Sequence, residues 1–222
     1  MRQTYSQQLW PTTADFAALL RGWQRDASAV LVGYIWQGYD RLHNATFSAL
    51  DVDREDADIE RDITQLLEPA IRQSMSGFEP FYIQHGPYEF ETRQPPPAQP
   101  PQYDLAFVWS ANPRVQWPLE AKVLRTAQST SEYIKALTDN FLTCRYAPFS
   151  SEAGMLGYLL QGLPENVLEK IAQDLSCTLM HHPFFPDRNH RTSDHDRIVP
   201  QGKAYPSTFH CHHIILVLRS GT

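Results

Sequence analysis

The sequence predicts an α/β fold, in which a mixed central sheet is flanked by helices and preceded by an N-terminal helical extension. Segments with helical spacing of apolar residues alternate along the chain with short apolar runs typical of buried strands. The 222 residues, 42% of them hydrophobic, are enough for one substantial core, and no change in composition splits the chain into equal halves. We expect a helical extension over residues 1–50 and one α/β domain over residues 51–222.

The N-terminal segment predicts two helices. Thr12 or Thr13 can cap the first, and the second covers the apolar segment from Val30 to Leu42. Gly33 and Gly38 lie inside the second segment and disfavour a helix there. No motif in this region carries chemistry, so we expect a structural cap or an oligomer surface.

An acid-rich segment from Asp51 to Ile71 predicts the next helix. Its apolar stripe has helical spacing, and acidic residues crowd the first turns, where the helix dipole favours them. Two interpretations remain open at this point. The acids form a solvated helix start, or Glu60 faces inward to a metal ion.

Two contrasting stretches follow. Glu79 to Phe90 is rich in aromatic residues and predicts a strand, or a short hairpin, broken at Gly86-Pro87. Gln94 to Pro101 is rich in proline and predicts a stiff, extended surface connector. The alternative for this connector is a ligand for a partner domain.

The central hairpin is the most informative stretch. Two apolar runs, Gln102 to Trp109 and Val115 to Arg125, flank a turn-rich connector of hairpin length. Asp104, Glu120 and Lys122 interrupt the apolar pattern. Because side chains alternate across a strand, Glu120 and Lys122 point to the same face.

The C-terminal half predicts four further elements and a loop. Residues 130–143 and 164–175 have helical spacing, whereas residues 154–160 and 208–219 predict buried strands. Residues 176–208 have no regular periodicity, and we interpret them as a long surface loop. Arg188 and Arg191 in this loop are candidates for phosphate contacts.

The acids and the lysine of the hairpin suggest metal-assisted hydrolysis. Two carboxylates on neighbouring strands can hold Mg²⁺, which prefers a few carboxylates together with water and phosphate oxygens. A nearby lysine can orient the attacking water, help to deprotonate it, or stabilise negative charge on a phosphate. The alternative is an ion pair on an exposed face of the sheet.

The run Tyr103-Asp104, followed after fifteen residues by Glu120-Ala121-Lys122, resembles the signature of the PD-(D/E)xK nucleases, the restriction-endonuclease-like superfamily. The resemblance implies a core of helix, three strands, helix and strand. It implies that Asp104 and Glu120 bind the metal, that Lys122 serves the water and that Glu60 is the first-helix acid. Tyr103 departs from the proline of the pattern, and Pro118 places its strand near an edge or bulge.

The resemblance therefore implies a DNA endonuclease that depends on Mg²⁺, with Mn²⁺ as a substitute, in bacterial defence or restriction. Lys135, on the helix after the hairpin, is a further candidate for substrate binding. RNA as substrate stays open. The alternative function is a catalytically silent subunit that acts in assembly or nucleic-acid binding, and we expect a homo-oligomer or a partner protein.

The cysteines, the histidines, the net charge and the apolar runs bear on which classes of protein the sequence can belong to. Three cysteines at wide spacing form neither a disulfide framework nor a CxxC pair. No histidine pair after residue 180 combines zinc-motif spacing with matching cysteines. A net charge of -6 argues against general coating of nucleic acid. No apolar run is long enough to span a bilayer and no signal peptide is evident, so we expect no membrane partner and a cytoplasmic protein.

Overall fold

The computed structural model describes residues 13–42, 47, 51–92 and 100–218. The helices are α1 (Thr13–Leu42), α2 (Asp56–Ser74), α3 (Ser131–Ala136), which continues into a π-helical turn (Leu137–Phe141), and α4 (Pro164–Leu175). The strands are β1 (Phe81–His85), β2 (Leu105–Trp109), β3 (Gln116–Leu124), β4 (Glu152–Leu159), β5 (Met180–His181), β6 (His190–Asp196) and β7 (Thr208–Val217).

All seven strands belong to one mixed sheet, with the spatial order β1-β2-β3-β4-β7-β6-β5. The three central strands β3, β4 and β7 run parallel to one another, and the flanking pairs are antiparallel. The predicted α/β class with a mixed sheet is therefore confirmed. The segment from α2 to β4 has the expected order of helix, three strands, helix and strand.

Helices cover both faces of the sheet. On one face, α1 and α2 pack against alternate residues of β3, including Trp117, Leu119 and Ala121. On the other face, α3 and α4 pack against the residues that point the opposite way, including Met155 of β4. Burial of apolar side chains on both faces explains why apolar residues occupy consecutive positions in parts of the central strands.

The prediction of two N-terminal helices is wrong, because residues 13–42 form the single helix α1. Gly38 does not break this helix. It marks the point where α2 crosses, since a Cβ atom on Gly38 would lie 2.6 Å from Cγ1 and 2.8 Å from the backbone nitrogen of Ile71. Leu31 and Ile35 of α1 are buried in the same core as the sheet. The division at residue 50 stays a prediction.

The prediction of a loop over residues 176–208 is also wrong, because this segment contains β5 and β6. β6 has no apolar residue, so its strand could not be recognised from hydrophobic alternation. Its buried side chains bond to histidines of β7 instead. Ser193 lies 2.7 Å from Nε2 of His213, and His190 lies 3.2 Å from His212 between ring nitrogens.

The other predicted elements lie where the sequence indicated. β1 ends at Gly86, whose φ of 64° suits glycine. Residues 94–99 of the proline-rich connector lie outside the described residues, as does most of the predicted junction near residue 50. No helix among the described residues is both long and apolar enough to cross a membrane.

The crossing of α1 and α2 gives a stability prediction. Gly38→Ala should lower the free energy of unfolding by about 1–3 kcal/mol, because the added methyl group overpacks the contact with the Ile71 backbone. Gly33→Ala is the matched control, since its Cβ would meet only a Phe185 ring carbon at 3.8 Å. Urea unfolding of both variants measures the difference. Equal stability of the two variants would contradict the close approach.

Candidate active site

The candidate site lies where β2 stops and β3 continues. The last pair in the register of these two strands is Leu105 with Leu119, yet β3 extends to Leu124 and stays paired with β4 on its other side. Beyond this pair, no strand among the described residues pairs with the second edge of β3. Its backbone N–H groups on that side, beginning with Ala121, need acceptors from elsewhere.

Two carboxylates satisfy this open edge. Oδ2 of Asp104, the residue directly before β2, accepts a hydrogen bond of 2.7 Å from the Ala121 N–H. Glu60 of α2 faces the Val123 backbone amide, which stabilises its charged form. The side chains of two other elements thus replace the missing backbone of β2.

Lys122 lies at the centre of the acids. Its Nζ is 3.1 Å from Oε1 of Glu60, 3.1 Å from Oε1 of Glu120 and 3.8 Å from Oδ2 of Asp104. It also donates to the Ala121 carbonyl. The structure therefore brings together all four residues that the sequence singled out as metal ligands or catalytic lysine, from α2, the start of β2, and β3.

The cluster contains three carboxyl groups and one ammonium group, and the pKa values of its members are shifted. Burial raises the pKa of Glu60 to about 7, and burial together with the charge of Asp104 raises the pKa of Glu120 to about 8. Burial also raises the pKa of Asp104. Burial alone would lower the pKa of Lys122, but the three surrounding carboxyls outweigh it and raise this pKa, so the side chain is an ammonium at neutral pH.

The donor atoms suit a hard divalent cation. All three acids offer carboxylate oxygens, and Oε2 of Glu120 is buried without a hydrogen-bond partner among the described residues. A cation there would supply the missing partner and offset the excess of negative charge. In the part of the chain that the structure describes, however, no three His, Cys, Asp or Glu side chains are arranged so that they could hold an ion together. The Lys122 ammonium lies between these acids instead.

An open cleft lies between α2 and the adjoining ends of β1 and β2. Glu60, Thr64, His85 and Asp104 line it. The charge of His85 helps to lower the pKa of Asp104 against the opposing effect of burial. Sequence reasoning missed His85, although its place just before the Gly86-Pro87 break is a signal that it ends a strand beside the site.

The three basic residues predicted to bind substrate do not join this cluster. Lys135 is exposed on α3 and forms no ion pair among the described residues. Arg188 binds both carboxylate oxygens of Asp40 at 2.8 and 2.6 Å and lies over the Trp36 ring.

Arg191 lies on β6, three strands from Glu120, or about 14 Å at the usual strand spacing. Contacts of Lys135, Arg188 and Arg191 with a substrate stay predictions.

The raised pKa of Glu120 gives a pH prediction. Between pH 4.5, the ordinary pKa of a glutamate, and about pH 8, Glu120 is protonated in the folded chain and ionised in the unfolded chain. The contribution of the Glu120 proton to stability is therefore complete below pH 4.5 and is lost as pH rises to about 8. Without metal, Glu120→Gln should therefore gain stability over the wild type from pH 5 to pH 8, by at most about 1.4 kcal/mol per pH unit.

Chemical unfolding in EDTA at each pH measures this difference. Glu132→Gln, at an exposed position of α3, is the control and should follow the wild type at every pH. A difference for Glu120→Gln that does not change with pH would show that Glu120 ionises normally in the folded chain.

Comparison with known proteins leaves the geometry as the basis for a functional assignment. No family model, no curated protein and no solved structure matches this chain. The likeness to PD-(D/E)xK nucleases accordingly rests on Asp104, Glu120 and Lys122, on Glu60 beside them, and on the order of elements that carries them.

Proposed function

We propose that this protein is a metal-dependent DNA endonuclease of restriction-endonuclease-like fold, which hydrolyses phosphodiester bonds with a metal-activated water. One observation carries the proposal. Three carboxylates from separate elements surround one lysine ammonium within 3.8 Å, at the open edge of β3 and beside an accessible cleft. A purely structural ion pair needs one carboxylate, whereas this site gathers three at an electrostatic cost.

The acids and the lysine have different proposed roles. Asp104, Glu120 and Glu60 would hold Mg²⁺, or Mn²⁺ in its place. The bound ion supplies Lewis acidity and lowers the pKa of a coordinated water. Because the neighbouring acids keep Lys122 protonated, its ammonium acts as a hydrogen-bond donor that orients the water or a phosphate oxygen. This favours a positioning and charge-stabilising role for Lys122 over that of a general base.

DNA is the substrate we propose, and RNA is an outcome that the test can distinguish. The setting we propose is bacterial defence or restriction, in which the protein works as a homo-oligomer or with a partner protein. The net charge of -6 argues against contact with nucleic acid over the whole surface, so we propose a local contact beside the cleft.

A catalytically silent nuclease-fold subunit is the second candidate, and a specific observation favours it. The described residues contain no preformed group of three metal ligands, and Lys122 lies where a cation would bind. Such a subunit would keep the acids for the structural reason that they satisfy the edge of β3.

Cleavage of supercoiled plasmid tests the proposal. With Mg²⁺ or Mn²⁺ the wild type should cut the DNA, and EDTA should abolish cutting. Asp104→Asn, Glu120→Gln and Lys122→Ala should each lower the rate by at least about 100-fold, because each removes a metal ligand or a charge donor. Glu132→Gln, which keeps the cleft intact, should cut at the wild-type rate.

Parallel assays with single-stranded DNA and with RNA identify the polymer that is cleaved. Cutting that survives the Glu120 and Lys122 substitutions would reject these residues as the site. Absence of cutting of every polymer with either metal, by protein shown to be folded, would reject the nuclease and favour the silent subunit.

A further inference from the structure

A second cluster of polar side chains lies on the opposite face of the sheet from Glu120. In the register of β3, β4 and β7, His212 is aligned with Gly154 and Leu119, on the face covered by α1 and α2. Glu152 of β4 is aligned with His210 of β7, two residues from that row. The cluster is therefore separate from the candidate nuclease site.

Unpaired polar atoms gather in this cluster. Glu152 Oε2, His190 Nδ1 and His212 Nε2 are all buried without a hydrogen-bond partner among the described residues. His190 and His212 are almost completely buried, with 0% and 1% of their surface exposed. Buried polar atoms are nearly always paired, so several unpaired ones together indicate a bound group.

The orientation of the rings leaves specific nitrogens free. Nδ1 of His212 faces Nε2 of His190 at 3.2 Å, so the other nitrogen, Nε2, points towards Glu152 Oε2 at 3.9 Å. Nδ1 of His210 lies 2.7 Å from an Asp194 oxygen, which leaves its Nε2 free. A carboxylate partner on the nitrogen away from the ion, as His210 has in Asp194, is typical of histidines that ligate metals.

We propose that Glu152, His210 and His212 bind a transition-metal ion of the Zn²⁺ class. Bonds from zinc to histidine nitrogen and to carboxylate oxygen are each about 2.0–2.2 Å, so one ion can bridge the 3.9 Å between His212 Nε2 and Glu152 Oε2.

His210 would be the third ligand. Its ring is 5.0 Å from that of His212. Because His210 is partly exposed and its partner Asp194 is exposed, the two side chains can move together and turn Nε2 of His210 inward. This turn is required, because no three such ligands are already arranged around one point in the described residues.

The bound ion would be structural. Glu152 belongs to β4 and the two histidines to β7, while Asp194 and His190 of β6 support the histidines from behind. An ion there would join three adjacent strands at the end of the sheet where β4 and β7 begin. The ion would also give the buried Oε2 atom of Glu152 a partner.

Zinc analysis of the full chain tests this proposal. Protein carrying Asp104→Asn, which weakens binding at the other site, should retain about one Zn²⁺ per chain after dialysis, measured by elemental analysis. In that background Glu152→Gln, which keeps the side-chain shape, and His212→Ala should each lose the ion. Asp194→Asn should weaken binding by about 10–100-fold in calorimetric titration with Zn²⁺.

The control is His181→Ala, which removes an exposed histidine of β5 and should leave binding unchanged. Circular dichroism verifies that each variant is folded. Co²⁺ in place of Zn²⁺ gives a visible spectrum that reports nitrogen ligation and should disappear in Glu152→Gln.

Folded protein that binds no stoichiometric Zn²⁺, or a Glu152→Gln variant that binds it as tightly as its parent, would overturn the proposal and favour ordered water in the gap. Neither result depends on whether the protein cleaves nucleic acid.

Discussion

The unpaired edge of β3 is the constraint on which the candidate active site depends. β3 is buried and central, so backbone N–H groups left without a partner there would cost free energy comparable to lost hydrogen bonds. The short β2 strand exposes this edge, and carboxylates from α2 and from the residue before β2 fill it. A backbone requirement thus fixes where the acids must lie, before any question of catalysis arises.

The acids bind the backbone N–H groups of β3, but a single ammonium group is present to balance the charge of three carboxyls. Three carboxyls share one ammonium, and the pKa values of Glu60, Glu120 and Asp104 are all raised as a result of burial. Removing Lys122 would leave buried negative charge with no counter-ion, which is more costly than exchanging the whole cluster for apolar residues. Such an electrostatic cost is typical of functional sites, and the proposed hydrolysis with a bound cation would use the same excess of carboxyl groups.

Local pattern and spacing predicted the centre of the molecule well. Alternation in the two arms of the hairpin gave β2 and β3, and the place of Asp104 beside Glu120 follows from the register that pairs Leu105 with Leu119. The sequence could not reveal that α1 passes unbroken through Gly38, because that glycine is required by the approach of Ile71, a contact distant in sequence. It could not reveal β6 either, since the buried side chains of that strand are polar, and His190 and Ser193 find hydrogen-bond partners on β7.

The same long-range contacts decided which charged residues reach the site. Glu60 was one of several acids on its helix, and only the packing of α2 on β3 selects it. The sequence suggested Arg188 as a phosphate contact. In the fold its guanidinium binds Asp40 of α1, away from the acids of the candidate site.

β4 links the two polar clusters. It pairs with β3 along the segment that carries Glu120 and Lys122, and with β7 along the segment that carries His210 and His212. Gly154 leaves room for the Leu119 side chain to lie over β4, because a Cβ atom there would be 2.4 Å from Leu119 Cδ2. Fixing Glu152 to β7 would hold β4 in register, and β4 in turn is the only strand that supports the free segment of β3 among the described residues. The position of Glu120 and Lys122 therefore depends on the rigidity of β4, and an ion bound on one face of the sheet would stabilise the geometry of the site on the other.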